Sequence, residues 1–203
     1  MKKTSITLIF LLSVLNINAQ ISVDVKTNLG INNIFRLNLD AVNFIEFSPS
    51  FSYNMGVSGA ISLWEKGDFV VEALYFDKRT KVKRLLDIGE NTISFKYISL
   101  PSYFRFKASK KFAIDLGYVS NIYIGHKVGE YDEVKANTYT GGILFGLEYQ
   151  IFPKINIGIN AQTDIMDFAN ELIEPVFQDE YYYYNYNLMF SISYRIFTQK
   201  KKN

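Results

Sequence analysis

The single histidine of this 203-residue chain, His126, stands close to Glu130, Asp132 and Glu133. An imidazole beside carboxylates is the combination that general-base chemistry uses, because its proton leaves near neutral pH. A base also needs a nucleophile within reach. On a strand the nearest same-face neighbour lies two residues along, and that position holds Val128 rather than a serine. The chain has no cysteine, which removes thiolate nucleophiles and thiolate metal sites. No glycine-rich phosphate loop or nucleophile elbow occurs. One histidine with scattered loop carboxylates makes at best a loose calcium site. These residues predict no catalytic residue, no cofactor and no metal, and His126 reads as an exposed histidine at a strand end.

Other charged residues are more informative, because they interrupt apolar patterns. Glu72, Arg105, Asp115, Glu148 and Arg195 each fall on the polar side of a segment whose alternate residues are apolar. If that side is enclosed, each charge needs an opposite partner, since an unpaired buried ion costs several kcal/mol. The five are therefore expected to form one linked ionic network. The short KASKK link, Lys107–Lys111, should set Arg105 and Asp115 side by side on antiparallel strands. The strongest basic run is DKRTKVKR, with Lys78, Arg79, Lys81, Lys83 and Arg84. It suits phosphate groups at a lipid surface by charge attraction; a solvated loop would have the same composition.

The elements that carry these residues alternate with period two, the signature of strands with two different faces. Val23, Val25 and Leu29 interleave with Asp24, Lys26 and Asn28; Tyr53, Met55 and Val57 with Asn54, Gly56 and Ser58. The same holds for Ile114–Ile124, for Ile143–Tyr149, for Ile155–Ile159 and for Leu188–Ile196. Two further strands, Phe69–Val82 and Thr92–Phe106, have noisier patterns, which makes eight. The links between them run long, short, long, short, long, short, long. The short ones are Glu65–Asp68, Lys107–Lys111 and Phe152–Lys154; the long ones lie around Ile31–Pro49, Lys83–Asn91, Lys127–Asn137 and Phe168–Tyr183. An up-and-down barrel with both termini on the short-turn side predicts this order. Pro49 disfavours a separate central strand at Asn43–Phe51, so that segment reads as the outer extension of the second strand.

Facing decides the solvent. The polar sides carry Gly56, Gly117, Gly125, Gly142, Gly146 and Gly158, and glycine belongs where a small barrel curves tightly around a crowded inside. The polar side should then face inward and the isoleucine–aromatic side outward, the reverse of a soluble barrel or sandwich. That inversion fits lipid, where closure leaves no backbone edge unpaired. Tyr181–Tyr184 and Tyr186 would lie at the outer boundary of the apolar layer, where amphipathic rings are favoured, with Tyr149, Ile151 and Phe152 in the lower girdle.

Met1–Gln20 opens with two lysines, continues with an apolar core from Ile6 to Leu15, and reaches Ala19. This is the pattern of a cleaved signal peptide over residues 1–19, leaving a barrel domain over 20–203. Loss of Lys2 and Lys3 takes the 22 basic residues to 20, level with the 20 acidic ones. A neutral chain argues against nucleic acid as a partner. The fold class expected is all-β, an eight-stranded antiparallel up-and-down transmembrane β-barrel in the outer membrane with both termini periplasmic.

The stretch YISLPSYFRF at Tyr97–Phe106, together with the signal peptide and the eight amphipathic strands, resembles the PorT-like outer-membrane β-barrel family. Tyr97, Ile98, Leu100, Pro101 and Arg105 match its fourth strand in kind, whereas Ser99 stands where that family has an acidic residue. The aromatics before Phe197 are similar to the barrel-assembly signal of outer-membrane proteins, although TQKKKN follows. The resemblance implies fold and compartment more than activity. An interior just filled by side chains favours a non-enzymatic barrel with a structural or accessory role in the envelope. Its partners would be outer-membrane lipids and lipopolysaccharide, the barrel-assembly machinery, and a protein at the outer loops. A small ligand-binding or conducting barrel is the alternative, and a lipid A-modifying enzyme drawing on Asp and Ser from other loops is a third.

Overall fold

The period-two segments form eight strands and no described helix. In the computed structural model the described residues are 20–36, 45–84, 91–127, 138–164 and 183–199. The strands are β1 (Ile21–Arg36), β2 (Ile45–Trp64), β3 (Gly67–Arg84), β4 (Asn91–Lys107), β5 (Phe112–Lys127), β6 (Tyr139–Phe152), β7 (Ile155–Asp164) and β8 (Tyr183–Gln199). Each pairs antiparallel with the next in a closed ring. Closure is made by β1 and β8, from Ile21 opposite Gln199 to Arg36 opposite Tyr183. No strand is left with an unpaired edge, which lipid requires. The expected signal segment, the carboxylates Glu130, Asp132 and Glu133, and Tyr181 and Tyr182 lie outside the described residues, as do the side chains of His126, Arg84 and Tyr183.

At one end the connections are tight. Only Glu65 and Lys66 separate β2 from β3, and only Pro153 and Lys154 separate β6 from β7. The turns are tied to neighbouring strands: Lys107 N donates to Lys66 O, Gln150 N to Lys111 O and Arg195 N to Lys154 O, each at 2.8 Å. At the other end the strands extend further than expected. β1 reaches Arg36 and β2 begins at Ile45, so the long Ile31–Pro49 link shrinks to residues 37–44. Pro49 sits in β2 at a shift in the β2–β3 register between Pro49 and Tyr53, and a bulge tolerates the missing N–H.

The two faces are inverted relative to a soluble barrel. Leu116 is 60% exposed on the outer wall while its neighbour Asp115 is 1% exposed. Val25, Leu29, Val57, Phe104, Phe145, Leu147, Ile159, Phe190 and Ile192 join Leu116 on the exposed face; Lys26, Asn28, Asn54, Glu72, Asn160 and Ser191 are buried. β3 and β4 explain their own noisy patterns. They turn Val70, Leu74, Phe76, Phe95, Tyr97 and Tyr103 inward, all buried, so both of their faces are apolar and the contrast between faces vanishes. Gly117 is needed where β5 runs beside its register partner Tyr103 of β4, because a Cβ there would collide with Tyr103 and with the Ser102 carbonyl.

Candidate functional site

The buried ionic groups gather inside the barrel near its tight-turn end. β4 and β5 pair Arg105 directly with Asp115. The Arg105 guanidinium donates to both Asp115 oxygens, Nε to Oδ1 and Nη2 to Oδ2, each at 2.9 Å. Nη2 also donates to Glu148 Oε2 on β6 at 2.6 Å and to the Tyr103 hydroxyl at 3.2 Å. Tyr103 in turn donates to Glu72 Oε1 on β3 at 2.5 Å, and Lys26 Nζ on β1 donates to the same oxygen at 2.6 Å. The chain of contacts thus joins five of the eight strands across the lumen. The rigid fork of arginine suits this role, since it serves two carboxylates at fixed angles.

Four of the five expected residues, Glu72, Arg105, Asp115 and Glu148, are brought together here, but the link runs through Tyr103. Arg195 is not joined to them by any described hydrogen bond. It pairs instead with Asp24 across the β1–β8 seam, Nε to Oδ1 at 3.1 Å, because the register shift between Val23 and Asp24 sets the two opposite each other. Lys26, Asp24 and Tyr103 were absent from the expected set. Their signal was parity: Lys26 and Asp24 share the polar side of β1, and Tyr103 lies two residues from Arg105 on the same face.

Above this network, toward the long connections, lies an amide layer. Asn28 donates to Asn54, and Asn160 donates to Asn28 at 3.5 Å, drawing together β2, β1 and β7. Val70, Tyr103, Val119 and Leu144 pack as an apolar cluster on the inner wall. Higher still, Lys78 Nζ meets Asp164 Oδ2 at 3.3 Å. β3 and β7 stand four places apart in the ring of eight, so this pair crosses the lumen from one wall to the opposite one. The Lys78 ammonium also lies 5.3 Å from the Phe76 ring centre and 5.2 Å from that of Tyr97.

Lys78 therefore corrects the expected basic patch. It is fully buried and unavailable to lipid, because even-numbered residues of β3 point inward. Arg79 and Lys83 lie on the other face, with Lys81 beside them; Lys81 and Lys83 are exposed. Arg79 is held by Asp77, Nε to Oδ1 at 3.1 Å and Nη2 to Oδ2 at 2.7 Å. Ser94 Oγ donates to the same Asp77 carboxylate at 2.6 Å. Among the described residues no three His, Cys, Asp or Glu side chains group as metal ligands would.

No protein-family model matches the sequence, and no curated protein matches it in sequence. The fold does have solved counterparts. The outer membrane protein OprG from Pseudomonas aeruginosa superposes with a TM-score of 0.51 at 13% identity, over 88% of this chain and 95% of that one. Neisserial surface protein A, NspA, superposes with a TM-score of 0.54 at 11% identity, over 86% of this chain and 97% of that one. At such identities the likeness concerns the fold alone. The class is that of closed eight-stranded up-and-down barrels of the outer-membrane kind.

Proposed function

We propose that this chain is an integral outer-membrane protein, non-enzymatic, whose role in the envelope is structural or accessory, with a lumen plugged by its own side chains. The observation that carries this reading is the inverted barrel: an apolar exposed wall around a buried ionic interior. The fold it shares with OprG and NspA supports the same placement. So does the resemblance of Tyr97–Phe106 to the PorT-like family, in which most members have no assigned activity. In this orientation the tight turns and both chain ends face the periplasm and the long connections face outward.

The plug argues against a wide pore. Eight strands leave room for little beyond side chains, and the lumen is crossed at two levels, by the Arg105 network and by the Lys78–Asp164 pair. A second reading, a barrel that binds a small polar ligand, rests on one observation. Asn54 Nδ2, Asn121 Oδ1 and both amide atoms of Asn187 are buried without a hydrogen-bond partner among the described residues. Buried polar atoms of this kind are normally met by water or by a ligand.

Outer-membrane fractionation tests the placement, with gel mobility that changes on heating as the sign of a folded barrel. Release as a soluble periplasmic protein on osmotic shock contradicts it. Planar-bilayer recording tests the plug: the expectation is no steady large conductance.

A further inference from the structure

Beyond the short turns, the described outer wall carries charge at one place. On β3 the outward residues Phe69, Val71, Ala73 and Tyr75 give way to Asp77, Arg79, Lys81 and Lys83; on β4, Phe106 to Ile98 give way to Lys96. The change falls at one height on both strands, since Asp77 and Lys96 are register partners. Among the described side chains of the outer wall beyond the short turns, charges occur on these two strands only. They number four cations to one carboxylate.

This patch is organised rather than merely basic. Asp77 grips Arg79 through two hydrogen bonds and is itself fixed by Ser94. The guanidinium lies 5.7 Å from the Tyr53 ring centre, and Tyr53 packs against Tyr75 at 6.4 Å between ring centres. The Arg79 backbone N–H donates to Ser52 Oγ at 2.7 Å. Asp77 engages only Nε and Nη2, so an arginine with five N–H donors has others left for an anion. Directly below the cations run exposed Met55, Val57, Val71 and Ile98, a strip that acyl chains can cover.

We propose that Arg79, Lys83 and Lys96, with Tyr53 beneath the guanidinium, bind the phosphorylated head group of an outer-leaflet glycolipid whose acyl chains lie along β2–β4. The inference rests on the outer-membrane reading and adds its lipid partner. Cations immediately above a continuous apolar strip match an amphiphile with phosphate at its head, whereas a soluble anion has no use for the strip.

The test uses the full chain refolded in detergent micelles, with retention of added lipid measured by native mass spectrometry. The probes are diphosphorylated lipid A, its dephosphorylated form, and inorganic phosphate as competitor. Each surface cation contributes about fivefold in affinity, so Arg79→Gln with Lys96→Gln should lower retention of the diphosphorylated lipid about 30-fold. Lys83→Gln with Lys96→Gln leaves the Arg79–Asp77 pair intact and should lower it to a similar degree. Lys66→Gln, at the opposite rim, should leave retention unchanged. Equal retention by wild type and both double variants overturns the proposal. So does equal retention of the dephosphorylated lipid, or its displacement at matched concentrations of inorganic phosphate, which marks a general anion site. Heat-shifted gel mobility is read on every sample. Its absence in the wild type overturns the membrane-barrel reading itself; its presence alongside equal lipid retention overturns the lipid site alone.

Discussion

Arg105 concentrates the chemistry of the interior in one side chain. It faces two carboxylates and a tyrosine hydroxyl while 7% exposed. Arg105→Met therefore strands both Asp115 and Glu148, and losing one partner of a buried pair costs about 3–5 kcal/mol. Adding Asp115→Leu should recover part of that loss, and adding Glu148→Gln should recover most of the remainder. The measurement is urea-induced unfolding in micelles, followed by the gel shift. Simple additivity across the three changes would contradict the network. The Arg105–Asp115 pair was legible because a short link fixes antiparallel partners. Tyr103 was not, since a tyrosine among aromatics carries no mark of its side until the strand's facing is known.

At the level of one strand, β6 separates its two faces cleanly: Phe145 and Leu147 are exposed on the outer wall while Leu144 and Gly146 are buried. Phe145→Arg puts a charge into the middle of the apolar wall, with an expected cost of about 2–4 kcal/mol. Leu147→Asn should also be harmful, whereas Gln150→Asn, near the tight turn, should be close to neutral. Equal tolerance at 147 and 150 in the same unfolding measurement would refute the facing. On β5, Gly117→Ala should cost about 1–3 kcal/mol by overpacking against Tyr103 and the Ser102 carbonyl. Strands with one polar face announce their orientation by alternation. β3 and β4 did not, because the inner wall takes large apolar groups wherever the ionic layers leave space.

Across the whole barrel, the Lys78–Asp164 pair joins opposite walls through residues 86 apart in sequence. It acts as a strut across the upper lumen, and the rings of Phe76 and Tyr97 flank the ammonium. Lys78→Met alone leaves a buried carboxylate unpaired, with an expected loss of about 3–5 kcal/mol. Lys78→Met with Asp164→Leu should be markedly milder, read as the temperature at which the folded gel band converts. A double variant as unstable as the single one would show that the strut is not what the lysine supplies.

Period-two alternation, the long–short order of links and the glycine-bearing polar sides determined the strand count, the up-and-down order and the facing of every strand but β3 and β4 from sequence alone, because each is a local property repeated along the chain. The partners inside the ring were decided only by tertiary structure. Whether Arg195 meets Asp24 or joins Arg105 depends on one bulge at the β1–β8 seam. Whether Lys78 meets lipid or Asp164 depends on the parity that β3 carries around a closed barrel. Both are settled by register, and register is set by pairing between strands distant in sequence, which no local pattern records.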